Sequence, residues 1–420
     1  MRIAMFSWET MHSIAVGGVA AHVSELSDAL AARGHDVHVF TRMGAGQSGH
    51  SIEGQVHYHR CPFGWDQDFV AEVNNMCNSF AWHYGETVAR GGPFDIAHGH
   101  DWLAAKALVQ TRNHHNAASV FTIHSTEYGR CGNQCHDGRS RVVRDMEWEG
   151  GYCSDVTIAV SGVIGREYQW LYGMPEDKIA PIYNGVHAER FAGSIDVAAE
   201  RAKYGIGSYD PMVLFAGRLA WQKGPDILVE AIPAIVRRHP NAKIVFAGDG
   251  EMRWGLEQRV GALGVAQAVR FVGYRRGEDL RNLFKATDVV CVPSRNEPFG
   301  IVILEGWAAG KPVVVTHNGG PAEFVRHGID GLKIYDHADS VRWGVLEAFS
   351  DFDRARSMGR LGQARARTEF SWDNIARQTE DVYHRAVMSN RRRLGLPETI
   401  ELPETIALAT PKRRRKTRAA

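Results

Sequence analysis

Short apolar runs, flanked by turn-forming residues, alternate along this chain with stretches whose apolar positions repeat at helical spacing. In the first half the runs are RIAMFSW, DVHVFTR, DIAHGHD, SVFTIHS, VTIAVS and IAPIYNG. Amphipathic segments such as AAHVSELSDALAARG lie between them. Strand-like runs that alternate with helical patterns predict a parallel sheet with helices on both faces. The pattern then restarts: MVLFAGRL, AKIVFAGDG, AVRFVGY, VVCVPSR and KPVVVTHN predict a second sheet of the same kind. The polar segment GSIDVAAERAKYGIGSYDP, between Phe191 and Pro211, separates the two. Near the end, FSWDNIARQTEDVYHRAV reads as a long helix.

The expected fold is therefore α/β, with two Rossmann-like doubly wound domains facing a central cleft. Residues 1–190 form the first domain and 191–370 the second. A helix over 371–389 follows, then a disordered basic tail over 390–420. Ligands of such sheets bind at the carboxyl ends of the strands. The tail carries the repeat LPETIELPETI and then PKRRRKTR. LPET is similar to a sortase signal, but no Gly completes it and no apolar anchor follows. A solvated segment is the reading of this composition.

Bulk properties narrow the picture further. A length of 420 residues exceeds one ordinary core and fits two domains. Hydrophobic residues make up 44% and charged residues 23%, which is a globular balance. A net charge of +1 gives no overall pull toward nucleic acid. No apolar run approaches the ~20 residues of a membrane span. MRIAMFSWET begins a strand rather than a signal peptide. The cysteines are Cys61, Cys77, Cys131, Cys135, Cys153 and Cys291, several in apolar stretches. A reduced, cytoplasmic chain is expected. The oligomeric state is left open.

Three strand–helix junctions carry candidate chemistry. VGGVAAHVSEL follows the first strand; Gly17 and Gly18 let backbone approach a ligand, and the helix N-terminus favours an anion. It lacks the full dinucleotide fingerprint G-x-G-x-x-G. FAGRLAWQKG also follows a strand and places Arg218 and Lys223 in a Gly-flanked loop, two cations suited to a diphosphate. PSRNEPFGIVILEG holds two carboxylates, Glu297 before a helix and Glu305 more than one turn inside it. At ~1.5 Å per residue their carboxylates stand about 10 Å apart. That is too far for a shared proton or one metal ion. It suits two acceptors on an extended ligand, with the N–H groups around Phe299 and Gly300 between them.

Other residues are candidates of lesser weight. His98 and His100 in HGHDW, and His124 in FTIHSTEYGR, end two strands on the cleft side. Glu9, just past the first strand, joins His100 and Asp101 as a candidate for the acceptor side. Cys131, Cys135 and His136 in CGNQCH lack a second ligand pair at zinc spacing. The acid pairs Asp66/Asp68 and Asp351/Asp353 do not end strong apolar strands. No metal site is expected.

The Gly-Gly loop, GRLAWQKG, and the paired glutamates of EPFGIVILE together resemble the retaining GT-B glycosyltransferases. HGHDW and EWEGGYCSDVTIAVS…YNGV resemble more narrowly the glycogen/starch synthase-like members, and the resemblance spans about residues 1–389. It implies that Arg218 and Lys223 bind the donor diphosphate and that Glu305 holds the nucleotide ribose. Glu297 would contact donor-sugar hydroxyls, helped by backbone N–H groups near Phe299 and Gly300. His124 would face the sugar near the reacting carbon, with His100 and Asp101 lining the same pocket. Gly18 would lie against the phosphates, Asn184 near the hinge, and the final helix back on the first domain. Many bacterial glycogen synthases carry a Tyr where this chain has Glu305.

The implied reaction moves a hexose, glucose foremost, from a UDP- or ADP-sugar to an acceptor hydroxyl, without a cofactor or metal. A growing α-glucan is the first choice of acceptor. A sugar, a glycerate or a lipid head group is the alternative. A nucleotide-sugar epimerase would release no nucleotide diphosphate on meeting an acceptor. A non-catalytic glycan-binding module would not need a diphosphate grip.

Overall fold

The structure, a computed structural model, describes residues 1–397. Its first sheet contains β1 (Arg2–Ser7), β2 (Asp36–Arg42), β3 (His50–Glu53), β4 (Val56–Cys61), β5 (Ile96–His100), β6 (Ala118–Ile123), β7 (Val156–Ala159) and β8 (Ile179–Pro181). They lie in the order β3-β4-β2-β1-β5-β6-β7-β8. All neighbours are parallel except β3, which runs antiparallel to β4 at the edge. The second sheet contains β9 (Met212–Ala216), β10 (Lys243–Ala247), β11 (Val269–Phe271), β12 (Val289–Val292), β13 (Val313–Thr316) and β14 (Leu332–Ile334). It is wholly parallel, in the order β11-β10-β9-β12-β13-β14.

The central strands are fully buried and largely apolar because helices cover both faces. Every residue of β5, β6, β7, β12 and β13 is buried. Three strands escape the apolar pattern. β3 and β4 place histidines at alternating positions, and β3 is an exposed edge. β14 is only three residues long. Each sheet is therefore larger than the runs alone predict.

The helix that closes the chain runs from Trp372 to Arg393, past the expected end at residue 389. It starts at Ser371, whose hydroxyl accepts from the Asn374 N–H. Its buried face (Trp372, Ile375, Ala376, Val382, Tyr383 and Ala386) joins Val23, Leu26, Leu30, Val120 and Ile158 in one apolar cluster. The last helix thus leaves the second sheet and packs on the first. The remainder of the expected tail, residues 398–420, lies outside the described residues.

The chain crosses between the halves at two neighbouring places. The Val186 N–H donates to the Phe370 carbonyl at 2.8 Å, and Val186 bridges Ser371. Tyr183, Phe299, Phe324 and Phe370 stack around this junction at centroid separations of 5.0–6.5 Å. Gly185 is required there, since a Cβ would meet the Trp372 indole at 2.6 Å.

Candidate active site

The cleft lies where the carboxyl ends of both sheets meet. On the first side, the helix Gly18–Ala32 begins directly after the glycine loop. A Cβ on Gly18 would stand 3.6 Å from Ile301 Cδ1 of the second side. Gly17 and Gly18 are exposed. The Gly17 N–H, however, donates to Glu9 Oε2 at 2.6 Å, as does the Val16 N–H at 2.5 Å. Glu9 is therefore turned onto the glycine loop rather than open to an acceptor, and the Gly17 amide is spent on it. Burial pushes the Glu9 carboxyl up, while these bonds and Arg42 pull it down.

On the second side, the loop after β9 and the turn after β12 are locked together. Gly224 has φ +64°, and a Cβ there would strike the Pro293 carbonyl oxygen at 2.1 Å, so only glycine fits. Arg295 grips Asp226 through two bonds of 2.8 and 2.6 Å and lies 4.8 Å over the Trp221 ring. This brings Lys223 Nζ to 2.9 Å from both carboxylate oxygens of Glu297. Ser294 Oγ donates to the same carboxylate at 2.9 Å. Glu297 is 3% exposed. Arg218 is exposed and has no ion-pair partner among the described residues.

The helix Ile301–Ala308 starts at Gly300, which adopts φ +94°; a Cβ there would crowd Ile303 and Glu297. The Phe299 ring is buried in the aromatic junction, so that residue offers the cleft backbone alone. Glu305, the fifth residue of this helix, keeps a partly accessible surface although protein crowds it. Burial pushes its carboxyl up to about 8; Glu25 adds to the rise and Arg281 opposes it. Glu25 itself accepts from Trp372 Nε1 at 2.5 Å and pairs with Arg190 at 2.7 Å.

The floor of the cleft is a group of histidines. His100 Nδ1 lies 3.2 Å from His124 Nε2. His22, from the glycine-loop helix, bonds Asn184 Oδ1 through Nδ1 at 2.7 Å. Asn184 is thus tied to the cleft next to the crossing at Val186. Desolvation holds His22, His100 and His124 well below the usual histidine range, His124 to about 3. Asp101 accepts from the His124 N–H at 3.0 Å. Asp101 has φ 59° and ψ 172°, a region nearly reserved for glycine that costs a residue about 1–3 kcal/mol. Burial raises its carboxyl, and Arg130 counters. His98, by contrast, is structural: it is fully buried and bonded to Tyr383 and Thr122.

The segment CGNQCHDGRS closes the mouth. Asn133 Oδ1 accepts from Asn296 Nδ2 at 2.9 Å, and Gly132 faces the Trp221 ring. Among the described residues, no cluster with metal-binding spacing includes Cys131, Cys135 or His136. Asp68 and Asp351 cap helices, accepting backbone N–H groups, and so have ordinary structural duties.

Lys223 meets Glu297, His100 and Asp101 meet His124, and Gly18 faces Ile301 across the cleft; Arg218 lies in the loop that carries Lys223, and Glu305 in the helix that begins at Ile301. Sequence reading missed His22 and Glu25. Both sit on the amphipathic helix after the glycine loop, where helical spacing from Gly18 carries His22 one turn inward.

Known proteins are similar to this chain in sequence and in fold. A family model described as glycosyl transferases group 1 matches residues 196–365, and one described as glycosyltransferase family 4 matches residues 16–190. The chain is 36% identical over 389 residues to an uncharacterized glycosyltransferase of Methanocaldococcus jannaschii, covering 91% of this chain and 98% of that one. It is 32% identical over 410 residues to a glycogen synthase of Mycobacterium tuberculosis, covering 93% and 96%. A D-inositol 3-phosphate glycosyltransferase of Jonesia denitrificans is 29% identical over 394 residues, covering 88% and 91%. Among solved structures, a sucrose-phosphate synthase from Thermosynechococcus elongatus superposes with a TM-score of 0.78 at 24% identity, over 94% of this chain and 99% of that one. At that identity the likeness speaks to the fold alone.

Proposed function

The chain belongs to the GT-B glycosyltransferases of the glycogen/starch synthase-like group, and on that footing we propose that it transfers a hexose, glucose foremost, from a UDP- or ADP-sugar to a growing α-glucan with retention of configuration. The observation that carries the donor reading is the Lys223–Glu297 pair, with Arg218 exposed in the same loop and without an ion-pair partner among the described residues. One carboxylate held by an ammonium, with a guanidinium five residues earlier in the same loop, suits a sugar joined to a diphosphate.

The reaction breaks the bond from the anomeric carbon to the diphosphate. Positive charge builds on the sugar and negative charge on the leaving phosphate. Arg218, Lys223 and the N-terminus of the helix after Gly300 stabilise that anion, so the proposed chemistry needs no metal. Glu305, largely protonated in the free chain at neutral pH, can donate to a ribose hydroxyl as well as accept from one.

Retention by double displacement needs a carboxylate nucleophile at the sugar. Glu297 is held by Lys223 and Ser294 and is assigned to sugar hydroxyls. The reading is therefore front-face attack, in which a donor phosphate oxygen takes the acceptor proton. Trapping a covalent glycosyl-enzyme during turnover would overturn it.

The acceptor reading rests on the glycogen synthase relative, alike over nearly the whole chain. A second reading, a small acceptor, is favoured by the inositol-phosphate transferase relative. The deciding experiment screens UDP- and ADP-sugars against glycogen, maltooligosaccharides and small acceptors, with nucleotide release as the signal. Release on glucans supports the first reading; release only on a small acceptor replaces it with the second. Release without any acceptor-bound product contradicts both.

A further inference from the structure

We propose that His22, His100 and His124 form a binding site for one first-row transition ion, zinc(II) foremost, at the floor of the cleft. Three elements distant in sequence deliver these rings: the glycine-loop helix, the end of β5 and the end of β6. One ligating nitrogen of each lies within 4.8 Å of the other two. The ring centroids are 4.6 Å apart for His22–His124, 5.4 Å for His22–His100 and 5.5 Å for His100–His124. Ligands around a tetrahedral zinc at ~2.0–2.1 Å stand roughly 3.3 Å apart. Small side-chain rotations close the difference.

His100 Nδ1 and His124 Nε2 contact each other at 3.2 Å, a bond that a shared ion would replace, and two further ring nitrogens are unspent. His22 Nε2 and His100 Nε2 are both buried and have no hydrogen-bond partner. Such orphaned groups are costly unless something binds them. The carbonyl oxygen of Asn184 can only accept, so His22 Nδ1 carries the proton and Nε2 presents its lone pair. A carbonyl behind the second nitrogen is the usual support of a metal-binding histidine. Asp101 accepts from the His124 N–H behind the site and fixes that residue's backbone. Three protein ligands leave the fourth position to water.

A second histidine group is a poorer host. Asp36, His38 and His57 also have metal-binding spacing, on neighbouring strands β2 and β4. There both His38 nitrogens are already bonded, to Asp36 at 3.1 Å and His59 at 2.9 Å. Arg2 pairs with Asp36 at 3.1 Å and opposes a cation.

An ion on His100 and His124 would occupy the place assigned above to the donor sugar. Zinc would therefore switch transfer off; that consequence rests on the transferase reading, whereas ion binding does not. The test titrates cobalt(II) into the full chain, without an added polyhistidine tag and without nucleotide. One equivalent should bind with the strong visible absorption of four-coordinate cobalt, and zinc should displace it. His22→Gln should abolish that spectrum, Asn184→Ala should weaken affinity by about 10–100-fold, and His57→Gln should leave it unchanged. Circular dichroism identifies any variant that fails to fold, and Asn184→Ala retains all three ligands. A weak six-coordinate spectrum, survival of the signal in His22→Gln, or its loss in His57→Gln would overturn the site. In the transfer assay, zinc should inhibit and a chelator restore nucleotide release. Bound zinc without inhibition would refute the switch and leave the ion site standing.

Discussion

Lys223 and Glu297, 74 residues apart, form a two-pronged ion pair in which Nζ lies 2.9 Å from each carboxylate oxygen. The ammonium has three donors. Two go to Glu297, and the third remains for a phosphate oxygen. Lys223→Ala should lower the turnover number by about 10²–10³, the usual loss when one donor to a developing anion is removed. Stopped or continuous nucleotide release measures it, and near-normal turnover contradicts the role. The same variant leaves a buried carboxylate without its cation, so its melting temperature should fall. Adding Glu297→Gln should recover stability without recovering transfer.

Glu305 should reveal itself through pH. Its carboxyl sits at about 8 in the folded chain, against an ordinary value of 4.5. Between these values the folded state holds a proton that the unfolded state has released. Stability contributed here is therefore complete below pH 4.5 and declines as pH rises toward 8. Glu305→Gln removes that decline. The variant should melt higher than the parent at pH 8, by ~2–4 °C for each kcal/mol recovered, with the gap shrinking toward pH 5. A constant gap across that range would contradict the assignment.

The same position should separate binding from chemistry. Glu305→Ala should weaken nucleotide diphosphate affinity by about two- to tenfold, as expected for a lost neutral hydrogen bond, with smaller change in turnover at saturating donor. Calorimetry and saturation kinetics check it. Lost turnover with intact affinity would contradict a ribose contact.

Asn133 and Asn296 join the two sides of the mouth by a single side-chain bond of 2.9 Å. A neutral bond of this type is worth about 0.5–1.5 kcal/mol. Asn133→Ala should accordingly reduce kcat/KM for the donor by about two- to tenfold, with little change in melting temperature. An unchanged kcat/KM would mean that the CGNQCHDGRS segment does not assist closure.

At the junction, Gly185→Ala forces a methyl group toward the Trp372 indole, 2.6 Å away. Overpacking of this kind costs about 1–3 kcal/mol. Thermal unfolding should begin earlier, and protease should reach the final helix sooner than in the parent. Unaltered melting and cleavage would show that the indole can move aside.

The sheets were legible in the sequence because their central strands are buried on both faces and are therefore largely apolar. The β3–β4 hairpin was not, since polar side chains break its apolar pattern: His50 on the edge strand β3, and His57 and His59 on its neighbour β4. The cleft residues were legible as strand–helix junctions, where Gly and charged residues interrupt apolar runs. Their partners were not. Nothing in QKG or NEP says that Lys223 and Glu297 meet, because that contact depends on how two loops from different strands fold over Gly224. Glu9 shows the same limit: its distance from Gly17 along the chain gives no sign that it caps the glycine loop. His22 was hidden in an ordinary amphipathic period.

The double crossing at Val186 and Phe370–Ser371 has a mechanical consequence. A single connecting strand behaves as a ball joint and allows rotation about three axes. Two connecting strands, bonded to each other at 2.8 Å, behave as a door hinge and leave one easy axis. The last helix fixes the second strand to the half where the chain began. Any opening of the cleft would thereby be confined to one arc, and closing along that arc would return Ile301 to the same place opposite Gly18.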